Sequence, residues 1–173
     1  MMTKLKDLFA PLIGTIAFSV KQTYGSFFLI EFGDPWLRIQ EPIEPRPDDP
    51  EETRVRLQRR RVFVTGTWSL LVADSNWTLA YKQGVINQDV QVEEMARPFR
   101  DIEGQRLSRV YCNQQNNSCV FEFDLGGLLT VWPALDSDPN DDQWRLHYKD
   151  KSSMGYTNNG SFSFEPKKNP DKS

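Results

Sequence analysis

The feature that most constrains the fold is a fifteen-residue stretch that occurs twice in the chain. The first copy, FLIEFGDPWLRIQEP, covers residues 28–42, and the second, CVFEFDLGGLLTVWP, covers residues 119–133. Four aligned positions carry identical residues: Glu31 and Glu122, Phe32 and Phe123, Leu37 and Leu128, and Pro42 and Pro133. Chance gives about one identity over this length. The repeated stretch therefore indicates an internal duplication.

The sequence similarity between the two copies continues, in the same order, on both sides of the repeated stretch. Upstream, residues 14–20 match residues 104–110 at their first and last positions. Downstream, TWSL at residues 67–70 matches QWRL at residues 143–146. Three matches in one order favour a duplicated structural unit over a coincidence.

These matches predict one β-rich domain, residues 1–164, that contains pseudo-repeats at about 12–72 and 102–148. A strand predicted at residues 76–81 and a short helix link the repeats within residues 76–99. We expect residues 165–173 to form a flexible tail, because they are polar and lie at the terminus.

The composition suits sheet better than helix, since aromatic residues make up 12% of the chain and Leu/Ala/Glu/Lys stretches are scarce. Each repeat is interpreted as about four strands separated by Gly, Asp, Asn and Pro turns. The strands are predicted at 15–23, 26–32, 36–41 and 61–72, and at 106–112, 119–124, 128–132 and 144–148. The predicted fold class is mainly β, or α+β with one short helix, with two antiparallel β-units packed into one sandwich- or barrel-like domain.

Three further segments are assigned from their local chemistry. Residues 87–99 are the best helix candidate, with Pro98 closing the helix. Residues 44–52 are predicted to be an acidic, proline-rich loop, and residues 54–62 (RVRLQRRRV) a strand with its arginines directed outward.

Successive side chains of a β-strand point to opposite faces, so the sequence predicts which residues of the repeated strand share a face. Phe28, Ile30 and Phe32 share one face, which is the natural core, and Glu31 must point the other way. A solvent-facing role is the plain interpretation of Glu31 and Glu122. The alternative is an acid pair brought together by a pseudo-twofold axis, as in glycosidases.

The charge balance argues against binding to nucleic acid or to an anionic membrane. The chain has 21 basic and 24 acidic residues, whereas such binders show a strong basic excess. The apolar run at residues 8–20 is too short to span a bilayer. We therefore expect no membrane association, and nucleic acid is a disfavoured partner.

The two cysteines, Cys112 and Cys119, flank the polar run NQQNNS. A hairpin there would place the thiols opposite each other, within disulfide range. However, a chain of this size does not need a disulfide, and a cytosolic setting would keep thiols reduced. Two buried free thiols are the expectation, and a disulfide is the alternative.

The strings FGDPWLRIQEP, VTGTWSLLVADSNWTL, EGQRLSRV and FEFDLGGLLTVWP together resemble a family of small uncharacterised bacterial proteins. The resemblance covers the chain from about residue 14 to residue 146 and transfers no functional residue. It implies a bacterial, cytoplasmic, stand-alone protein, and small proteins of this kind include immunity and accessory proteins beside toxin genes.

No catalytic motif is evident. The one histidine, His147, lacks a Cys partner or a nucleophile elbow and is expected to be a surface or half-buried strand residue. The cysteine spacing does not match a zinc site, and no phosphate-binding glycine loop is present. We therefore predict no metal and no cofactor, and favour a non-catalytic protein over an enzyme.

The leading hypothesis is a module that binds another protein. Exposed aromatic residues beside charged residues are typical of binding hot spots. The candidate binding residues are Asp34, Trp36, Arg38, Trp132, Asp138 and Asp141. A small-ligand-binding β-domain is the alternative, because β-domains can hold pockets that leave no sequence motif. A hydrolase that uses Glu31 and Glu122 is less favoured.

Overall fold

A computed structural model of the chain describes residues 7–149 and 152–166. The predicted tail falls outside these residues from residue 167 onward, and its first residue, Glu165, ends a strand. The strands are β1 Ala17–Gln22, β2 Phe28–Phe32, β3 Trp36–Gln40, β4 Arg61–Thr65, β5 Trp68–Val72, β6 Ser75–Tyr81, β7 Gly84–Asn87, β8 Leu107–Asn113, β9 Ser118–Phe123, β10 Leu128–Pro133, β11 Asp142–Tyr148, β12 Ser153–Thr157 and β13 Phe162–Glu165. Two helices, α1 Glu51–Leu57 and α2 Val92–Ile102, lie between them.

The strands form antiparallel sheets that pack as a sandwich. A six-stranded sheet has the order β1-β2-β5-β11-β12-β13, and a five-stranded sheet has the order β7-β6-β10-β9-β8. Aromatic side chains meet between the two sheets: Phe28 packs on Trp77 at 5.0 Å between ring centroids, and Phe32 stacks on Phe123 at 6.3 Å. The predicted mainly β class is confirmed. Of the two predicted packings, sandwich and barrel, the structure has the sandwich.

The two repeats are joined by backbone hydrogen bonds that are related by a pseudo-twofold axis. The Gly14 N–H donates to the carbonyl oxygen of Leu107 at 2.7 Å, and the equivalent Gly104 N–H donates to the carbonyl oxygen of Ala17 at 2.7 Å. Between these bonds, Ile16 and Arg106 form an antiparallel bridge. The axis therefore passes close to that bridge and relates the start of one repeat to the start of the other.

The hairpins that follow repeat the same irregularity. The β1–β2 ladder shifts register between Ala17 and Ser19, and the β8–β9 ladder shifts between Leu107 and Arg109. These positions are equivalent in the sequence alignment. The shared bulge and the shared hydrogen bonds confirm that two β-units are pseudo-repeated.

The repeats diverge after these hairpins. In the second repeat β10 stays paired with β9, whereas in the first repeat β3 leaves the six-stranded sheet and pairs with β4 alone. We call β3 and β4 together the ribbon; the connection between them carries α1. The strand predicted over 61–72 is accordingly two strands, since the chain crosses from the ribbon to the six-stranded sheet at Gly66.

Gly66 makes this crossing possible because it lies against the backbone of Phe32. A Cβ atom at position 66 would lie 2.8 Å from Phe32 N and still closer to Phe32 O. Such contacts are shorter than atoms tolerate, so only glycine allows the two backbones to approach.

Two local assignments were wrong. Residues 54–62 are the end of α1 and the start of β4, because Glu51 and Glu52 at the helix start favour a helix there. The predicted helix over 87–99 begins later, at Val92, where Gln91 and Glu94 form a capping box.

Pro98 does not end α2, which continues to Ile102. A proline inside a helix removes one backbone hydrogen bond. Met95, Phe99 and Ile102 are buried in the core from this helix, and their burial outweighs that cost.

The apolar run near the start of the chain belongs to the folded domain. Phe9 and Leu12 are buried, and Phe9 packs edge-on against Phe121 and Trp144. Among the described residues, no helix is long and apolar enough to cross a membrane.

Cys112 and Cys119 form a disulfide, so the expectation of two free thiols was wrong. The two residues are directly opposite each other in the β8–β9 ladder, with Cα atoms 4.0 Å apart. The hairpin register therefore brings the sulfur atoms together.

We predict that Cys112→Ala combined with Cys119→Ala lowers the free energy of unfolding by about 2 kcal/mol, because a short closed loop restricts the unfolded chain. Urea denaturation with and without dithiothreitol measures this. Reductant should shift the wild-type midpoint and leave the variant unchanged. Identical wild-type midpoints in both conditions would contradict the prediction.

Candidate functional site

A cavity of about 590 Å³ lies between the ribbon and the outward face of the six-stranded sheet. The sheet contributes residues from β2, β5 and β11, and the ribbon contributes residues from β3 and β4. The cavity is lined by Leu29, Glu31, Trp36, Arg38, Ile39, Thr65, Gly66, Ser69, His147, Tyr148 and Lys149. It lies outside the sandwich core, on a face that the ribbon partly covers.

Three polar side chains form a row across the floor of this cavity. Glu31 on β2 is directly opposite Ser69 on β5, and Ser69 is directly opposite His147 on β11. Residues paired across antiparallel strands project from the same face. The register of the sheet therefore assembles a row from positions that are far apart in sequence.

Glu31 is the buried member of the row, with 5% of its surface exposed. The expected solvent-facing role of Glu31 was therefore wrong, whereas Glu122 is partly exposed. One carboxylate oxygen, Oε2, accepts hydrogen bonds from the Ser69 hydroxyl at 2.5 Å, the Gly66 N–H at 2.8 Å and the Thr65 hydroxyl at 3.1 Å. No donor among the described residues reaches Oε1, and no described cation lies within ion-pair distance of Glu31.

Two cations lie at the mouth of the cavity, and each packs on an aromatic ring. Lys149 Nζ lies 5.1 Å from the centroid of the Trp36 ring, and the Arg38 guanidinium lies 4.9 Å from that of Phe63. The Trp36 indole N–H donates to Gly66 O at 2.9 Å, which fixes the ring over the crossing point. These contacts hold positive charge near the cavity without neutralising it.

His147 is exposed on the strand, as expected. Partial desolvation lowers the pKa of its imidazole, and the positive charge of Arg145 lowers it further, while Glu165, Asp142 and Glu31 act in the opposite direction. At neutral pH the ring is therefore mostly uncharged, because even the ordinary histidine pKa of about 6.5 lies below neutrality. The Ser69 hydroxyl donates to Glu31 and not to the imidazole, so the row is not arranged as a nucleophile with its general base.

The other face of the ribbon is apolar and open to solvent. Leu37 is directly opposite Val64, and Ile39 is directly opposite Val62. Between 48% and 60% of the surface of each residue is exposed. We call these four residues the apolar face of the ribbon; of the four, Ile39 also contributes to the lining of the cavity.

The candidate binding residues divide into two groups. Asp34, Trp36 and Arg38 lie at the base of the ribbon, near the end of β2. Trp132, Asp138 and Asp141 lie at the opposite end of the sandwich, on β10 and in the loop before β11. The structure therefore brings together only the first group.

The two aspartates of the second group lie in the loop before β11, which is held by hydrogen bonds. Asp138 Oδ1 accepts the Asn140 N–H at 2.8 Å, and the Asn158 side chain donates to Asp138 O at 2.9 Å. These bonds give Asp138 a structural role in the loop.

Glu31 and Glu122 do not form an acid pair. Their neighbours Phe32 and Phe123 stack on each other in the core, so the two carboxylates project from the outward faces of opposite sheets. The alternative hypothesis of converging acids is wrong, because equivalent positions in facing sheets point apart.

Sequence reasoning missed Ser69 and Thr65 as hydrogen-bond partners of Glu31, and it missed Lys149 as a residue that lines the cavity. The alternation of side chains along a strand identifies the face on which Ser69 and Thr65 lie, but not their neighbours on that face. Within the described residues, no group of three or more His, Cys, Asp or Glu side chains could hold a metal ion.

No protein-family model, curated protein or solved structure matches the chain. The resemblance to small bacterial proteins therefore stays a prediction.

We predict that His147 titrates below the ordinary histidine pKa of about 6.5, and that Arg145→Met raises this pKa by removing a positive neighbour. NMR titration measures it directly, since the chain contains one histidine. Because the unfolded imidazole binds the proton more readily, the folded protein should lose stability as pH falls below about 6.5. An ordinary or raised pKa in the wild type would contradict the prediction.

Proposed function

We propose that this protein is a non-catalytic module that binds another protein through the apolar face of the ribbon. The observation that carries the proposal is that Leu37, Ile39, Val62 and Val64 are all about half exposed on one side of a two-stranded projection. Isolated apolar residues are common on protein surfaces, whereas a contiguous group marks an interaction site.

The edges of the ribbon support the same proposal. Within the described residues, β3 pairs only with β4 and β4 pairs only with β3. Each strand therefore has an edge with unpaired backbone groups, which a strand of a partner can extend. The partner surface that fits is apolar at its centre and offers an extended strand at its edge.

The outward separation of Glu31 and Glu122 leaves the less favoured hydrolase without its acid pair. A binding role requires no such arrangement. A more specific role as a bacterial immunity or accessory protein is part of this proposal, and it depends on the family resemblance alone.

The disulfide bears on where the protein works. Disulfides persist mainly in oxidising compartments. The bond between Cys112 and Cys119 therefore weighs against the cytoplasmic location that the resemblance implies.

We predict that Leu37→Lys combined with Val64→Lys weakens partner binding at least about 10-fold. The protein should stay folded, because both side chains are exposed in the free chain. The matched control is Val85→Lys, at a residue on β7 of the five-stranded sheet that is 64% exposed. Tagged wild-type, ribbon-variant and control proteins are used to capture partners from source-cell lysate treated with nuclease.

The expected result is one stoichiometric protein that the wild type and the control retain and the ribbon variant loses. With that protein purified, the ribbon variant should bind at least about 10-fold more weakly, the loss expected when a hot spot is disrupted. Equal retention by the ribbon variant, or no stoichiometric protein, would overturn the proposal. Light scattering tests one further outcome, in which the wild type is a dimer and the ribbon variant is a monomer. That result would overturn the proposal of a foreign partner, because the apolar face would then bind a second copy of this chain.

A further inference from the structure

We propose that the cavity beneath the ribbon binds a small zwitterion that carries an ammonium group and a carboxylate, as free α-amino acids do. The proposal goes beyond protein binding because it concerns the opposite face of the ribbon. It is carried by one buried anion at the floor of the cavity and two cations at its mouth.

The floor of the cavity offers a site for an ammonium group. Glu31 is 5% exposed, all three of its hydrogen bonds reach Oε2, and no described cation pairs with it. A buried carboxylate without a cation carries a desolvation cost that a charged donor can offset. Oε1 is the oxygen that remains for such a donor, and a ligand ammonium has three N–H groups with which to reach it.

The mouth of the cavity selects against a simple organic cation. Lys149 and Arg38 both line the cavity, and neither forms an ion pair with a described residue. Two positive charges repel a ligand that carries only an ammonium group, while Glu31 repels a ligand that carries only a carboxylate. A molecule with both groups has its ammonium on Glu31 and its carboxylate on Lys149 and Arg38, where charge-assisted hydrogen bonds are strong.

The walls provide an apolar contact for the rest of the ligand. Leu29, Trp36 and Tyr148 line the cavity together with the polar row. A volume of about 590 Å³ is within the ordinary range for small-molecule sites. His147 adds no third positive charge at neutral pH, since its pKa is lowered.

The full chain is screened against the twenty proteinogenic amino acids by 15N–1H NMR at millimolar concentrations. The amino acid with the largest shifts is then compared with two truncated molecules, the amine without its carboxylate and the carboxylic acid without its amine. We expect saturable shifts at residues that line the cavity, and at least about 10-fold weaker binding of both truncated molecules.

Glu31→Gln tests the floor, because it keeps the shape of the side chain and removes its charge. The matched control is Glu122→Gln, at the equivalent position of the other repeat on the opposite side of the molecule. Glu31→Gln should weaken binding at least about 10-fold, and Glu122→Gln should leave it unchanged.

Lys149→Met is the second variant, at an exposed residue, and it keeps the test valid if Glu31→Gln does not fold. It should reduce the preference for the amino acid over the matching amine by at least about 5-fold. The proposal is overturned if no amino acid gives saturable shifts, or if the amine binds as tightly as the amino acid. It is also overturned if Lys149→Met leaves the preference for the amino acid over the amine unchanged, or if a folded Glu31→Gln variant binds as tightly as the wild type. Protein capture by the apolar face is measured independently, so either proposal can fail without the other.

Discussion

The Gly66 N–H donates to Glu31 Oε2 at 2.8 Å, and this contact joins the ribbon to the floor of the cavity. It lies where the chain crosses from the ribbon to the six-stranded sheet, with Gly66 against the backbone of Phe32. Because a side chain at position 66 would push these segments apart, the glycine and the carboxylate together set the angle of the ribbon. Both candidate surfaces, the cavity and the apolar face, exist because the ribbon leaves the sheet at this point.

The duplication explains how such a projection is tolerated. The paired hairpins β1–β2 and β8–β9 supply the stacked aromatic core and the exchanged backbone hydrogen bonds around Ile16 and Arg106. Since this part of the sandwich is stabilised by buried apolar area, one repeat can divert its third strand away from the core. The glutamate shared by the repeats then differs in role: Glu122 remains partly exposed, while Glu31 is buried by the ribbon.

Much of the fold was predictable because alternation and turn chemistry are local. The repeated FEF pattern identified the core face, and the predicted positions of β1, β2, β3, β6, β8, β9, β10 and β11 agree with the structure to within a few residues. Where local signals conflicted with long-range packing, prediction was wrong. Pro98 suggested a helix end, but burial of Phe99 and Ile102 extended α2, and the arginine-rich segment before β4 was interpreted as strand although α1 occupies its first part.

The sequence by itself determined that the chain is a duplicated β-protein, that Phe28, Ile30 and Phe32 face the core, and that Glu31 faces outward. These properties follow from the two-residue period of a strand, which any pairing partner preserves. Only the tertiary structure decided that Ser69 and His147 stand beside Glu31, that Lys149 and Arg38 lie over the same cavity, and that Glu122 is far from them. Register and the path of the ribbon are set by contacts between residues distant in sequence, and no local pattern encodes which strands become neighbours.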